Sequence, residues 1–463
     1  MQAFILYVGL RRTAGFKREQ RMFSPANQTH FSLTVEGFEH DFQVLAFTGK
    51  EAISRPYLLN VEFVSERSDL DLESLFDVEA FLTFDSKGNG IHGRVYHIAH
   101  IGNSERLMRY RLALVPHLAY LRHRINQRIY QQFSVPKIVA LILEEHGILG
   151  DAYRFHLGAT YPERDYCTQY DETDLHFIQR LCEEEGIHFH FQHSAQGHVL
   201  VFGDDQSVFP SIGQPTAYRH ESDRVADEPL IKRINLRLGQ LTSRISHRNY
   251  DVEQQPDIEK DDSPERFTGH EHGKQIRLRT MERRHAAYRQ AEGQSDQTRL
   301  VSGHVLEISG HPRQEWNTLW LLTEIIHEGR QPQVLGENFA SGNTANEGDF
   351  HQGYRNRFVV LPWNVSYRPP LAHKKPQVPS IHTAVVVALE GEGIQSDRRF
   401  GRIKVKFPWD REDRFDDKSR CWLMEPSDWG CEIGPPRMGM EVMVTFLEND
   451  PDQPLINGCL CCH

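Results

Sequence analysis

The chain has 463 residues, 39% hydrophobic and 25% charged, a composition typical of a globular protein with room for about three domains. Its longest apolar run, residues 3–10, is far shorter than the ~20 residues of a membrane span, and Arg11 and Arg12 follow it. We therefore expect neither a transmembrane helix nor a signal peptide. Lys and Arg number 53 against 64 Asp and Glu, and the resulting charge of −11 argues against a protein whose main task is to neutralise nucleic-acid phosphates.

Cysteine and histidine usage bounds the chemistry further. Seven cysteines without a secretion signal indicate reduced thiols and synthesis in the cytosol. Full protonation of the 26 histidines would change the formal charge from −11 to +15. The surface properties of the protein are therefore expected to depend on pH.

The first third of the chain has the alternation of β-strands. Residues 1–21 form a leader without an assigned role, and strand-like segments then follow at 34–35, 42–47 and 57–64, separated by turn-forming residues. This pattern predicts a β-rich barrel or sandwich from residue 31 to about residue 100.

Two helices are predicted next. Residues 135–145 carry an apolar stripe, Ser134 is placed to cap the helix, and Gly147 ends it. A second helix is predicted at 172–184 with Asp171 as its cap, and Gly186 separates it from a strand at 187–191. The sequence thus predicts a helix, a glycine and a strand as one compact corner.

Two later segments look like connections. Residues 251–265 carry seven acidic side chains, which predicts a solvated, inserted loop. Four prolines between 369 and 379 indicate a stiff interdomain connection. We therefore expect one region over residues 22–375 and a second over residues 380–463.

The second region carries five short strand patterns, at 382–389, 400–407, 420–424, 440–447 and 455–460. Five strands in about eighty residues predict a small barrel of the OB type. Ile403, Val405 and Phe407 alternate with Arg402, Lys404 and Lys406, so the apolar set should face the barrel interior.

At this point several motifs resemble one family. The run GRIKVKFPWDR at 401–411 resembles the GRVKVQFHWDR segment of VgrG proteins, the spike proteins of type VI secretion systems. Residues 436–454 are similar to the same family's PRIGQEVLVDFLEGDPDRP segment. Residues 54–57 resemble its SRPF element, residues 128–131 its RIFQ element, and residues 169–187 its QYxExDxxFxxRLxEEEGI signature. The resemblance covers about residues 22–458.

The resemblance implies a mainly β fold with some α: phage baseplate hub-like β-barrel domains with inserted helices, then the five-stranded OB-type barrel. It implies a homotrimer that stacks on a ring of Hcp subunits and helps deliver effectors by puncturing a target membrane. It also implies cytoplasmic assembly and export by the type VI system itself. Family members continue into a β-helical needle, to which effectors and the tip protein bind. The chain reaches His463 without such repeats, so we expect it to supply the base of a spike.

Several segments carry residues of catalytic or ligand-binding motifs, and each also has a structural interpretation. Residues 88–93 match GxGxxG, but a strand pattern follows them where a phosphate site needs a helix, so a hairpin turn is predicted. His188 and His190 share one face of a strand near His193 and His198, so a metal site is one interpretation of these residues. The favoured interpretation places Phe189 in the core and these histidines on the polar side.

Three further groups of side chains have residue types that occur in functional sites. Cys459, Cys461, Cys462 and His463 are zinc-ligand types at too tight a spacing for an ordinary zinc site, although three tails meeting near a trimer axis would allow a metal or disulfide clasp. The Arg402, Lys404 and Lys406 stripe suits oligonucleotide or glycan binding in OB barrels, but solvated side chains or subunit contacts are favoured. Glu183, Glu184 and Glu185 lie at a helix end and are expected to be solvated.

The sequence contains no GxSxG, no Walker loop, no recognisable cysteine nucleophile and no zincin motif after His220, His270 or His327. We therefore predict a structural protein without catalytic residues, cofactor or nucleic-acid partner. Two alternatives stay open: a metal-dependent or polysaccharide hydrolase, and an OB-type glycan or nucleic-acid binding module.

Overall fold

A computed structural model describes residues 31–38, 42–67, 70–103, 107–219, 229–239, 270–335, 350–387, 402–410, 421–424 and 438–460. The predictions for the leader at 1–21 and the acidic loop at 251–265 lie outside these ranges. Within them, no helix is both long enough and apolar enough to cross a membrane.

The described ranges contain 22 strands and four α-helices, besides short 3-10 turns. The strands are β1 (Ser32–Val35), β2 (Gln43–Ala52), β3 (Arg55–Ser65), β4 (Glu79–Thr83), β5 (Gly90–Asn103), β6 (Met108–Val115), β7 (Ile125–Tyr130), β8 (Tyr153–His156), β9 (Cys167–Thr173), β10 (His188–Ser194), β11 (Gly197–Gly203), β12 (Thr216–Ala217), β13 (Ile231–Leu238), β14 (Arg289–Ser295), β15 (Val305–Ser309), β16 (Leu319–Arg330), β17 (Gly353–Pro362), β18 (His382–Val386), β19 (Arg402–Lys406), β20 (Cys421–Met424), β21 (Glu441–Phe446) and β22 (Pro454–Cys459). The helices are α1 (Leu72–Leu75), α2 (Val135–Glu145), α3 (Asp174–Glu185) and α4 (His270–Tyr288).

Twelve strands form one large sheet, ordered β1-β4-β5-β6-β3-β2-β16-β17-β14-β13, with β15 on β16 and β12 on β15. Strand β1 pairs with both β4 and β2, so the first six strands close on themselves. Alternate residues of β3, namely Leu59, Val61 and Phe63, are almost fully buried inside this ring because successive side chains of a strand point to opposite faces. The predicted β-rich first region is therefore confirmed.

Helices α2 and α3 lie beside this sheet, with mixed agreement with the sequence. Helix α2 has the predicted bounds, although the side chain of Ser134 at its N-cap makes no capping hydrogen bond. Helix α3 begins at Asp174, and Thr173 caps it by accepting the His176 N–H at 3.1 Å. The prediction of Asp171 as cap was wrong: its φ of 49° places it in the left-handed region before the helix.

Smaller sheets complete the first region. Strands β10, β11 and β8 form a three-stranded layer, and β7 pairs with β9. Helix α4, which the hydrophobic pattern did not reveal, has mostly polar and charged residues and packs near α3. These elements surround α3 and give it polar neighbours on several sides.

Strands β18 to β22 form a closed barrel in the order β18-β19-β20-β22-β21, with β20 and β22 parallel. All five strands match the predicted segments. Ile403, Val405 and Phe407 are buried in the barrel core together with Val442 and Val444 from β21. The OB-type arrangement is thus confirmed in its strand order and in the side chains that fill it.

Candidate functional site: the junction between the large sheet and the barrel

The predicted solvation of the glutamates at the end of α3 was wrong. Glu183 and Glu185 are 4% and 2% exposed, and Glu184 is half-buried. Sequence alone could not show this, because the arginines that neutralise these carboxylates come from other segments of the chain. The acidic end of α3 is instead the centre of a buried ion-pair network.

Arg180 sits at the middle of this network and is 1% exposed. Its guanidinium donates to Glu172 at 2.6 and 3.2 Å, to Glu184 at 3.1 Å and to the Thr168 carbonyl at 3.1 Å. The arginine therefore ties α3 to β9 with charge-assisted bonds whose geometry a lysine would not reproduce.

Two further arginines reach Glu185 from outside α3. Arg164, from the segment before β9, donates to Glu184 at 3.1 Å and to Glu185 at 2.8 Å. Arg279, from α4, donates to the other oxygen of Glu185 at 3.3 Å. Glu185 thus joins the β9 approach to α4 through two buried cations.

Glu183 connects α3 to the proline-rich segment that follows the large sheet. Its carboxylate accepts the backbone N–H groups of Ala372 and His373 at 2.8 and 2.9 Å, and lies 2.7 Å from Nδ1 of His373. Arg283 of α4 donates to the Glu183 carbonyl and to the Pro369 carbonyl, both at 2.7 Å. The connection is therefore held in place by hydrogen bonds as well as by its prolines.

The protonation states follow from these neighbours. Burial raises the pKa of the Glu184 carboxyl, but the positive charges of Arg180, Arg164 and Lys375 outweigh it and hold the pKa at about 2. Burial is the largest influence on Glu172 and raises its pKa despite Arg180. Glu184, on which these cations converge, is therefore ionised at neutral pH.

The same region makes polar contact with the barrel. The backbone N–H of Thr168 in β9 donates to Asp452 at 2.6 Å, and its hydroxyl donates to the Pro451 carbonyl at 3.0 Å. Lys375 forms ion pairs with Asp452 and, at 2.7 Å, with Asp450. The turn between β21 and β22 is therefore the polar docking element of the barrel.

Apolar side chains seal this junction. Ile129 of β7 is 4% exposed and belongs to the same buried cluster as Val405 and Val444 of the barrel. The Tyr170 ring meets the Trp409 ring edge-on at 5.5 Å, and Trp409 stacks on Phe407 at 4.8 Å. The junction thus has a shared hydrophobic core in addition to its ion pairs.

The histidines of β10 are not on a polar surface, contrary to the favoured prediction. His188 and His190 are 0% and 1% exposed, as buried as Phe189 between them. His188 stacks on Phe209 with ring centroids 4.3 Å apart. Across the described residues, no group of three or more His, Cys, Asp or Glu side chains is arranged to hold a metal ion.

The three other candidate sites from the sequence are a glycine-rich segment, a basic stripe and a cysteine-rich end. The predicted hairpin is present, but only Gly88 and Asn89 lie in its turn and residues 90–93 belong to β5; Asp85 accepts the Lys87 and Asn89 N–H groups at 2.9 and 3.1 Å. Lys404 and Lys406 are half-buried on β19, while the Arg402 side chain lies outside the described part. Cys459 is half-buried at the end of β22; Cys461, Cys462 and His463 lie outside the described residues, so the proposed clasp stays a prediction.

A cleft of about 960 Å³ lies between β8, β11 and α4, and its charged groups are already paired. Asp204 accepts the N–H groups of Gly158 and Ala159, both at 2.8 Å, and Arg279 is bound to Glu185. Arg368 donates to Glu282 at 2.6 Å. These groups support the walls of the cleft, and the arrangement can anchor segments to one another.

Comparisons with known proteins agree with this architecture. The model of the family described as the phage tail baseplate hub matches residues 50–333. Over 460 residues the chain is 58% identical to the type VI secretion system spike protein VgrG4b and 54% identical to VgrG5, both of Pseudomonas aeruginosa, covering 95% of this chain. The chain belongs to the VgrG family.

This VgrG-family chain spans 57% and 58% of the length of those two curated relatives. It is also 34% identical to the spike protein VgrG3 of Vibrio cholerae, covering 92% of this chain and 44% of that relative. The family predicted from the sequence motifs is therefore confirmed.

Solved structures share the fold. The E. coli c3393 protein, described as a type VI secretion component similar to the phage T4 tail proteins gp27 and gp5, superposes with a TM-score of 0.71 at 23% identity, covering 93% of this chain and all of that one. The half-lidded Francisella PdpA-VgrG complex gives a TM-score of 0.57 at 8% identity, covering 94% of this chain and 78% of that one. Both likenesses support the hub-and-barrel architecture.

Proposed function

We propose that this chain forms the base of a type VI spike. In this proposal it assembles as a homotrimer in the cytoplasm, docks on the Hcp tube, leaves the cell through the type VI system and helps deliver effectors across a target membrane. The observation that carries the proposal is the junction: buried ion pairs and a shared apolar core lock the hub-like sheet to the OB-type barrel. A part that transmits force along a tube needs such a fixed connection.

The same observation favours a structural role over catalysis for this part of the protein. Glu183, Glu184 and Glu185 are bound by backbone groups and arginines, so they lack the free carboxylate pair that glycoside hydrolysis needs. A relative 33% identical to this chain is named an actin cross-linking toxin, VgrG1 of Vibrio cholerae, and this chain covers 41% of it. The structural role that we propose for this chain does not include a toxin activity.

The proposal is tested by the mass of the purified chain in solution, with and without purified Hcp. We expect a species of three times the 53.7 kDa chain mass, and a larger complex when Hcp is added. A variant with Lys375→Met, which loosens the junction, should bind Hcp less well, whereas Lys50→Met at an exposed pair with Glu324 should not change binding. A protein that stays monomeric at all concentrations, and ignores Hcp, would contradict the proposal.

The division into residues 22–375 and 380–463 is part of this proposal. Residues 363–381 contain no strand or helix, but Glu183 holds their backbone at Ala372 and His373. Limited proteolysis followed by mass spectrometry of the fragments tests the division. We expect the earliest cuts between these regions to fall at the exposed residues 379–381, because Val378 before them is buried and donates its N–H to the Asn449 carbonyl at 2.8 Å.

A further inference from the structure

Strands β10 and β11 form a hairpin that packs against the large sheet through polar groups. Ser54, in the turn between β2 and β3, has a φ of 62° and donates its N–H to the Phe189 carbonyl at 2.7 Å. Its hydroxyl accepts the Phe189 N–H at 3.3 Å, and its carbonyl accepts the Gln179 side-chain amide at 3.1 Å. The SRPY motif at 54–57 therefore attaches the hairpin to the large sheet through the hydrogen bonds of Ser54.

Imidazole rings fill much of the space around this hairpin. We call these rings the histidine cluster: His188, His190 and His193 of β10, His198 of β11, His92 of β5, His304 before β15 and His327 of β16. The His92 and His198 rings are joined Nδ1 to Nδ1 at 3.1 Å, and the His193 ring meets the Tyr57 ring edge-on at 5.0 Å. The cluster therefore connects the hairpin to the large sheet.

Several of these rings lack hydrogen-bond partners. Within the described residues, neither ring nitrogen of His190 or of His193 has a partner, and both side chains are almost fully enclosed. A neutral imidazole tolerates such a site at a cost, whereas an imidazolium there would be a buried, unpaired charge. The packing therefore depends on the rings being neutral.

Within the described residues, two carboxylates lie within 4.0 Å of an imidazole of the cluster. Glu51 of β2 approaches His327 at 3.1 Å and His193 at 4.0 Å, but it also accepts the Ser302 N–H at 2.9 Å. Glu79 of β4 lies 3.6 Å from His92. The other titratable or charged groups facing the rings are Glu36, Tyr57, Asp77, Arg94, His117, His156, Tyr354, and, at the His188 end, Asp204, Asp205, Tyr367 and Arg368.

The sign of the pH dependence follows from the direction of the shifts. Burial lowers the pKa of His188 and His198 to about 3 and that of His190 to about 2, and it lowers the pKa of His193 strongly. An exposed histidine has a pKa near 6.5, so the opened state binds more protons than the packed state below that pH. Packing is therefore fully favourable above about pH 6.5 and weakens as the pH falls towards 3.

We propose that the histidine cluster makes the contact between the β10–β11 hairpin and the large sheet an acid-sensitive joint. At neutral pH the rings pack as uncharged aromatic groups around β10. Below about pH 6 they take up protons when the contact opens, and the two positively charged surfaces then resist closing. The hub thus loosens at this layer first, while the barrel core, whose buried side chains are apolar, stays closed.

Hydrogen–deuterium exchange of the full chain at pH 7.5 and pH 5.0, corrected for intrinsic exchange rates, tests the joint. In peptides covering 188–203 the opening constant should rise by about 30-fold for each histidine that becomes exposed, because pH 5.0 is about 1.5 units below the pKa of a free histidine. Peptides covering 441–459 in the barrel should not change. Equal protection of residues 188–203 at both pH values would overturn the proposal.

Matched variants assign the effect to the cluster. His193→Gln removes one titrating ring and should reduce the pH-induced rise at 188–203 by about 30-fold, whereas His97→Gln, at an exposed position of β5, should leave it unchanged. His198→Gln provides a second variant if the first does not fold. Identical pH responses in all three proteins would show that the cluster is not the sensor.

Discussion

Arg180 shows how a single buried side chain can hold several segments together. Its guanidinium serves Glu172, Glu184 and the Thr168 carbonyl at once, and burial would be costly without all of these partners. The motif RLxEEEGI is therefore explained by folding: its arginine and glutamates are each other's counter-charges and those of neighbouring segments.

Arg180→Met should destabilise the protein by about 3–5 kcal/mol, because it leaves the buried Glu172 without its arginine and removes one of the two arginines that bind Glu184. The matched control is Arg111→Met, which removes an exposed arginine from its pair with Glu62 and should cost less than about 1 kcal/mol. Urea denaturation followed by circular dichroism measures both. Equal losses in the two variants would show that the network contributes no more than a surface ion pair.

The cysteines give a second test at this scale. Burial raises the pKa of the Cys167 thiol to about 12, and it also raises those of Cys182 and Cys421. Because the thiolate is the reactive form, these three should resist iodoacetamide in the native protein while half-buried Cys459 reacts. Peptide mapping by mass spectrometry reads each site. Labelling of Cys167 at the rate of Cys459 would contradict the described packing.

Among the elements, helix α3 is the one on which the most other segments depend. It contacts β9, α4 and the connection at 372–373, and its first turn begins at a capping threonine. Loss of helical order at its start would therefore be felt by the junction as well as by the helix itself.

Thr173→Ala should cost about 1 kcal/mol, because the His176 N–H loses the hydroxyl that satisfies it. Ser134→Ala at the start of α2 is the matched control, since that serine makes no capping hydrogen bond, and it should cost a few tenths of a kcal/mol at most. The midpoints of chemical denaturation measure both changes. A larger loss at Ser134 than at Thr173 would contradict the described caps.

The sequence predicted elements well where the signal was local. Helix α2 and the five barrel strands agree with their predicted segments, because an apolar period and adjacent turn residues are enough to define them. Helix α4 was missed because its mostly polar side chains provide no apolar stripe. The strand order of the large sheet was beyond prediction, since it depends on pairings such as β2 with β16, more than 250 residues apart.

The candidate site was predicted less well, for a related physical reason. Glu183, Glu184 and Glu185 look solvated in a window of local sequence, and only the fold brings Arg164, Arg279 and the 372–373 backbone to them. His190 likewise alternates as a polar residue would, yet lies beneath Gly303 and Phe209. The family motifs include these glutamates, but local sequence did not reveal that they are buried and hydrogen-bonded to distant segments.

At the scale of the whole molecule, the junction determines whether the large sheet and the barrel unfold together. Lys375→Met should weaken the coupling by about 2–3 kcal/mol, because Asp450 and Asp452 are 8–9% exposed and lose their shared cation. We expect calorimetry to show the barrel unfolding as a separate, earlier transition, while the parent protein and Lys50→Met unfold together. An unchanged single transition in Lys375→Met would mean that the apolar contacts suffice.

Ile129 lies in β7, yet its side chain completes the barrel's interior beside Val405 and Val444. A barrel transferred to a different hub would have a cavity where that isoleucine packs, and the original hub would expose an apolar patch to water. Exchanges of the barrel between relatives should therefore succeed only when β7 and β9 are exchanged together with it. The unit that packs as one body thus includes strands from both regions of the chain.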